Sequence, residues 1–483
     1  MRASAEGWRS ARWRGGAMAP AGPVGAGASS APPSTAGRAA RAAPAAAAVA
    51  PGWFPRIEAQ LTWPWQGVEW TPGYFCFLLY VFVISSYIVN IGQPTMIFAI
   101  LAITMSSRDR WRFPAPMFLL GIFMVLITLT FQSTEYRSYV YQPLEDMAKV
   151  CMIFFVGLSV LDTRARVRFF MFFYLGVFAL FPVRGGLFNW FVYNATTQGR
   201  VGWNNLFENP NDFAALMILP LALTIAVFIA ERSKLVKNAA FLGVSALPLV
   251  IFLTQSRGAI LALAVGVFAF FVLQGKGRMK SVLTVGAVAG MLFILAPSSV
   301  WTRMSSLKSA TESGNLSQAN DSRSAEQRFE IWKVAWKVHQ AFPITGVGWN
   351  AYPNAHADFS RRPGIDRIAA GARDAHNTYL TLLSETGWVG FLTWMTMIAT
   401  IVTAAIRAMQ RIRRYAPPYA MQIKMVLLAL LAFGVAGMFG TFAHVSFLYL
   451  HLALLIGLTT VANNEVDAFE RSPTRLRGAR SGG

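Results

Sequence analysis

Charge is scarce in this sequence. Asp, Glu, Lys and Arg make up 13% of 483 residues, about half the share of an ordinary soluble chain. So few charged groups cannot clothe the roughly two to four polar-surfaced domains that such a length would form in water. Acid is the scarcer sign, with 22 Asp and Glu against 43 Lys and Arg, a net charge of +21. Such a balance often marks a nucleic-acid binder. Here 55% of residues are apolar and the mean hydropathy is +0.44, which excludes nucleic acid as the partner and points to a lipid bilayer. The two cysteines, Cys76 and Cys151, both fall inside apolar runs and leave no basis for a disulfide framework. The sequence also lacks a Gly-rich phosphate loop, an Asp-x-Asp pair, His-Glu-x-x-His and Gly-x-Ser-x-Gly. An enzyme built on it therefore works without nucleotide, metal or other cofactor, on a substrate that is already activated.

What is present is a succession of apolar runs. Residues 1 to about 55 are Ala, Gly, Pro, Ser and Arg, a composition that cannot bury enough apolar surface to order itself. They read as a disordered tail with no signal-peptide core, since the stretch around Ala43 to Ala50 lacks Leu, Ile and Phe; Met18 is an alternative start. From Tyr74 onward come runs able to cross a hydrocarbon layer, which takes about 20 helical residues. They lie near 74 to 90, 93 to 106, 114 to 131, 146 to 161, 167 to 183, 211 to 230, 235 to 254, 258 to 274, 280 to 297, 377 to 406, 421 to 440 and 441 to 462. In lipid all must be helices, because nothing else satisfies the backbone in consecutive short-looped spans. The expected fold is all-α, a polytopic membrane protein of about 12 transmembrane helices. Its organisation reads as a tail and lead-in over 1–72, nine spans over 73–297, a loop domain over 298–376, three spans over 377–462 and a second tail over 463–483.

Sorting the basic residues by alternate connections sets the orientation. Roughly two thirds of the Lys and Arg fall on one side, in the tails and in short loops such as Ser106 to Phe113, Asp162 to Arg168 and Arg407 to Lys424. That side is cytoplasmic by the positive-inside rule, and both termini lie there. Ser298 to Asp374 is then the long outer loop, a length that marks function or disorder. Within it, Ser324 and Gln327 make a capping-box pattern. Phe329, Trp332, Ala335, Trp336 and His339 follow at helical spacing, with Lys333 and Lys337 on another face, which predicts a helix along the membrane surface. Pro343, Gly346 and Gly348 then break it into a turn.

Two arginines stand against the charge rule. Arg184 and Arg257 end apolar spans on the outer side, each followed by Gly. A guanidinium fork matches phosphate oxygens in two-point contact, which suggests an anionic headgroup or a diphosphate; the alternative is snorkelling to the interface. His376, in Arg-Asp-Ala-His-Asn-Thr at the start of the span after the long loop, is a candidate general base for a hydroxyl acceptor, against a histidine that only bonds locally. His444 and His451 lie seven apart on one expected span, where packing outweighs a proton or metal path. His339 and His356 lie in the loop and carry less weight.

These residues resemble those of the O-antigen ligase and polymerase superfamily. The matching pieces are Glu208-Asn209-Pro210-Asn211-Asp212, Gln255-Ser256-Arg257-Gly258, Arg328 with Trp332, Pro343-x-x-Gly346-x-Gly348, and His376-Asn377-x-Tyr379-Leu380 followed by Glu385-Thr386-Gly387. The likeness covers roughly residues 75 to 460 in topology, and its specificity comes from order and placement. It implies a GT-C-like membrane glycosyltransferase of the bacterial inner membrane with a periplasmic active site. The donor would be a polyprenyl-diphosphate-linked glycan, and transfer would be inverting and metal-free. His376 would activate the acceptor, Arg257 and Arg184 would hold the diphosphate, and Arg200, Arg328 and Arg373 would be further candidates for that cavity. Asn377, Tyr379, Glu385, Asn209 and Asn211 would support them.

Members of the superfamily differ in acceptor. A ligase uses lipid A-core, a polymerase another lipid-linked repeat, and a third group protein Ser or Thr. One dominant outer loop in the C-terminal third fits a ligase. A transporter or flippase for lipid-linked sugars is the alternative of another class. It predicts internal repeats between halves, which are not evident, and would have no need of His376.

Overall fold

The structure is a computed structural model describing residues 63–88, 92–274 and 320–471. Among these residues the elements are helical, apart from a single bridge between Thr197 and Arg200. The expected span over 280–297 lies outside the described residues. The helices are α1 (Pro72–Ser86), α2 (Gly92–Met105), α3 (Ala115–Ser133), α4 (Arg137–Val160), α5 (Arg164–Phe178), α6 (Arg184–Phe191), α7 (Pro210–Ala230), α8 (Lys234–Leu253) and α9 (Arg257–Gln274). After the second gap come α10 (Asn320–Ala341), α11 (Tyr352–Phe359), α12 (Thr378–Ile412), α13 (Pro417–Ala436) and α14 (Ser446–Glu470). Seven described helices are long and apolar enough to cross a membrane, counting α5 and α6 as one, and α1, α2 and α9 are shorter apolar helices. The chain is a polytopic helical membrane protein.

Packing follows from which helices lack a polar face. α7 is apolar all round and lies inside, with Phe213 through Leu223 buried almost without a break; α8 and α13 pack on it, and Ala214, Ala215, Ala222 and Ala226 let their backbones come close. Peripheral helices keep apolar side chains outward: Phe118, Ile122, Val125 and Leu129 on α3, and Phe241 and Leu242 on α8. Exposed rows of that kind would drive aggregation in water but suit hydrocarbon.

Two boundaries differ from the hydropathy pattern for local reasons. The run expected to end at 183 continues: Pro182 removes an N–H, and the helix widens into a π turn over Ala179–Val183 before resuming as α6. The last span was expected from 441, yet α14 begins at Ser446. Residues 441–445 are held out of helix because the Thr378 hydroxyl donates to the Gly440 carbonyl and accepts from the Phe442 N–H.

At the end of the bundle opposite the site described below, Arg166 is fully buried. It bonds Asp109 at 2.7 Å, Asp162 at 3.2 Å, the Glu69 carbonyl at 2.8 Å and Thr71 at 3.1 Å. Arg168 grips both oxygens of Glu231 at 2.7 and 2.8 Å. These arginines, which the charge count treats only as orientation signals, fasten α5 to the connections around it.

Candidate functional site

At the other end of the bundle, three arginines distant in sequence meet. Arg200, Arg257 and Arg328 line one cavity of about 220 Å³, together with Asn211, Gln255 and Ser256. Each is brought there by a different device. The loop carrying Arg200 is laced to the α8–α9 junction, since Val201 N–H donates to the Leu253 carbonyl and Gln255 Nε2 to the Gly199 carbonyl. Its far end is held by Phe207, which packs on Phe178 and Phe447 at ring distances of 6.0 and 5.7 Å. Arg200 is buried, donating to the Thr254 carbonyl at 2.7 Å and to Asn211 Oδ1 at 2.6 Å. Arg257 is the first residue of α9. Arg328 projects from α10, and both burial and the neighbouring Arg257 pull its guanidinium below its ordinary value. The N-termini of α7 and α9 open here too, adding oriented N–H groups and the positive ends of two helix dipoles. Like charges gathered in this way fit a multivalent anion.

His376 stands beside this cavity. Its side chain is 42% exposed and its Nδ1 lies 3.6 Å from Asp374 Oδ2; the other carboxylate oxygen accepts from the Thr441 hydroxyl at 3.0 Å. Burial lowers the His376 pKa, Asp374 pulls it up, and Arg328 pushes it down again. The backbone at His376 is left-handed, at φ 45°, as it is at Gln198 and Gln255 in the cavity wall. Such conformations cost about 1–3 kcal/mol each and cluster at working sites. The next residue, Asn377, caps α12 by accepting from the N–H groups of Tyr379 and Leu380. Trp332 holds the segment from above, its indole N–H donating to the Ala375 carbonyl at 2.9 Å.

Other expected site residues are structural or stand apart. Asn209 caps α7 through the Asn211 N–H. The Tyr379 hydroxyl donates to the Gly434 carbonyl at 2.7 Å. Glu385 is buried and accepts from the backbone N–H groups of Asn350 and Tyr352, so it holds the start of α11. Arg184 is exposed and stacks 4.7 Å above the Phe188 ring, not among the residues lining the cavity. Arg373 is exposed and donates to the Ala370 carbonyl.

The loop helix also departs from expectation. It already runs from Asn320, so Ser324 lies inside it and not at its cap, and Gln327 donates instead to the Ile368 carbonyl at 3.1 Å. Its expected apolar stripe divides: Ala335 and His339 pack inward on α12, while Phe329 and Trp336 stay exposed. His356 is buried and bonds the Gly371 carbonyl.

The motif Pro343-x-x-Gly346-x-Gly348 docks on Glu385-Thr386-Gly387. Gly387, at φ 60°, breaks α12 and exposes carbonyls. Those of Ser384 and Glu385 accept from Val347 and Gly348 at 3.0 Å, and Trp388 N–H donates back to Pro343 at 2.8 Å. Backbone meets backbone so closely that a Cβ on Gly346 would lie 2.3 Å from the Glu385 carbonyl oxygen.

Sequence reasoning gave no role to Asp374, Thr441 or Asp212, and it assigned His444 to packing. Asp212, in the first turn of α7, lies within electrostatic reach of Asp374. His444 keeps an accessible edge although protein surrounds most of it, and it stands within reach of both Asp374 and Asp146. It is not on the same helix as His451, which is buried against Tyr174 and bonds its own helix at Phe447. The charged pattern Arg-Asp-x-His around His376 was the one local hint of Asp374. Among the described residues, no cluster of His, Cys, Asp and Glu is arranged to hold a metal ion.

A polytopic helical membrane protein with an arginine-lined cavity and an adjacent acid–histidine pair is thus defined. Residues 239–395, which include Arg257, Arg328, Asp374 and His376, match the family model described as O-antigen ligase. The match, over about a third of the chain, supports the likeness to the O-antigen ligase and polymerase superfamily. No curated protein matches the chain.

Proposed function

We propose that the protein moves a glycan from a polyprenyl-diphosphate carrier to an acceptor hydroxyl at the periplasmic face of a bacterial inner membrane, and that it is an O-antigen ligase acting on lipid A-core. The observation that carries this reading is the convergence of Arg200, Arg257 and Arg328 on one cavity with His376 next to Arg328. In this scheme His376 takes the proton from the acceptor hydroxyl. The freed oxygen attacks the anomeric carbon from the face opposite the diphosphate, the bond from that carbon to the diphosphate breaks, and the configuration inverts. Charge developing on the leaving diphosphate is met by guanidinium groups already in place, so little reorganisation is needed as the bond breaks. The activated leaving group makes a metal unnecessary.

Arg257 and Arg328 are the principal diphosphate ligands, and Arg200, fixed by Asn211, completes the shell; Arg184 and Arg373 stay outside it. The described part of the loop domain, 320–376, covers the site from the periplasm, with both termini cytoplasmic. The basic groups at the opposite end, among them Arg108, Arg110, Arg112, Arg411 and Arg413, support that orientation. The test is transfer in purified protein from a polyprenyl-diphosphate glycan to lipid A-core. His376→Ala should lose product while still binding donor, whereas transfer equal to the parent's would remove His376 from the chemistry. Transfer only to a second lipid-linked repeat would make the protein a polymerase, and transfer to Ser or Thr a protein glycosyltransferase.

A further inference from the structure

A second cavity at the same end of the bundle, of about 650 Å³, lies among α1, α2, α4 and the turn at Asn205. Its size is typical of sites for small organic groups, roughly 300–1,000 Å³. Its lining has two characters. Tyr80, Tyr87, Gln93 and Asn205 offer phenol and amide groups, while Ile84 and Met96 are among the apolar side chains that complete the wall. Phenol faces and amides suit the hydroxyls and C–H faces of a sugar, and an apolar wall beside them suits the root of a lipid.

Charge separates this cavity from the first. Lys149 is its cation, and it is already held by Glu145 at 3.0 Å and Asp146 at 2.8 Å; Gln93 Nε2 donates to the same Glu145 at 3.2 Å. Two carboxylates around one ammonium make a poor site for a diphosphate, whereas the first cavity gathers three arginines. The 441–446 segment joins this cavity to the acid–histidine pair, for Thr441 at one end bonds Asp374 and Ser446 at the other bonds Tyr80 of the cavity wall. Tyr80 bonds Ser446, two residues beyond His444, and His444 lies within electrostatic reach of Asp374 on one side and Asp146 on the other. A general base must lie within hydrogen-bond reach of the acceptor hydroxyl, so an acceptor site has to open toward it.

We infer that the cavity between α1, α2 and α4 is the acceptor subsite, taking the uncharged terminal sugar of a membrane-anchored glycan on the His444 side of His376. The inference rests on the glycosyl-transfer reading and specifies where and how its acceptor is recognised. Gln93 and Asn205 are its specificity residues, and Met152 is part of its lining.

The test uses the full-length protein in liposomes with a polyprenyl-diphosphate glycan as donor and lipid A-core glycolipid, a lipid-linked repeat or a Ser/Thr peptide as acceptor. Gln93→Leu and Asn205→Ala should each raise the glycolipid concentration needed for half-maximal transfer about tenfold, the scale of one lost hydrogen bond. Met152→Trp should exclude the glycolipid altogether. In all three, binding of polyprenyl diphosphate should equal the parent's, which also reports that the variants are folded. Unchanged glycolipid saturation in Gln93→Leu and Asn205→Ala overturns the inference, as does a loss of diphosphate binding in the same variants or transfer confined to the peptide. Arg257→Ala keeps the two readings distinguishable: unchanged diphosphate binding in that variant removes the arginine cavity from the mechanism but leaves the acceptor saturation of the other three to be judged on its own.

Discussion

Asp374 holds one carboxylate oxygen 3.6 Å from Nδ1 of His376 and takes the Thr441 hydroxyl on the other. With the carboxylate on the Nδ1 side, Nε2 is the nitrogen left to face a substrate, and the nearby carboxylate stabilises the imidazolium formed when a proton is taken up. Burial and Arg328 act in the opposite sense and leave the His376 pKa below its ordinary value. The neutral, proton-accepting form therefore persists to a lower pH than for a free histidine, and the acid limb of the rate profile should lie below pH ~6.5.

The two neighbours of His376 then give opposite shifts. Asp374→Asn removes the group that raises the pKa, so the acid limb should move further down, with a plateau rate lower by about 10- to 100-fold from lost orientation and basicity. Arg328→Gln removes a cation that lowers the pKa, so the limb should move up. The pH dependence of transfer at saturating donor measures both, and shifts of the same sign in the two variants would show that at least one of the two groups does not act on His376 electrostatically.

Arg257 should depend on shape as well as charge. Arg257→Ala should weaken polyprenyl-diphosphate binding by about 10- to 100-fold, the range for a charge-assisted hydrogen bond. Arg257→Lys should recover only part of this, because an ammonium keeps the charge but not the two-point fork. Arg184→Ala and Arg373→Ala should bind nearly as the parent does, since neither lines the cavity. Titration with the diphosphate lipid distinguishes these outcomes; equal binding by the Arg257 variants and the parent would remove the assignment.

How much of this was legible in the sequence depends on the range of the interaction concerned. Apolar runs report helices because lipid burial is a property of each segment, and the runs near 114 to 131, 211 to 230 and 235 to 254 reappear as α3, α7 and α8 within a few residues. Arg257 and His376 were visible because each interrupts a strong local pattern. Asp374 as the partner of His376 was not, since Thr441 and the 437–442 turn that fix it come from the far side of α12. Glu385, expected in a supporting place, binds the backbone N–H groups of Asn350 and Tyr352, partners that no local pattern around it could indicate.

Arg166 shows how a charge that looks like a topology marker can be a stability determinant. It is buried among Asp109, Asp162, Thr71 and the Glu69 carbonyl, and removing one partner from a buried ion pair leaves the other charge unpaired, at a cost of about 3–5 kcal/mol. Arg166→Ala should accordingly lower the thermal unfolding temperature in detergent far more than Arg110→Ala, although both remove one positive charge from the same end of the bundle. Equal effects would mean that the Asp109 and Asp162 carboxylates find other partners.

The junction between the loop domain and the bundle can be tested at Gly387. The residue sits at φ 60°, where a side chain costs about 1–3 kcal/mol in backbone strain, and a Cβ there would fall 2.2 Å from the Ile344 carbonyl oxygen. Gly387→Ala therefore forces the 343–348 turn away from α12 and breaks the bonds from Val347, Gly348 and Trp388 that fasten it. Because Trp332 on α10 holds the Ala375 carbonyl next to His376, displacing the turn should disturb the base while leaving Arg257, at the start of α9, in place. The expected result is transfer reduced by at least about 100-fold, the cost of misplacing a reacting group by roughly 1 Å, with faster proteolysis between α10 and α12. Diphosphate binding should fall less than transfer, since Arg200 and Arg257 stay put and only Arg328 moves with α10; a parallel fall in both would show that the turn supports the whole cavity and not the base alone.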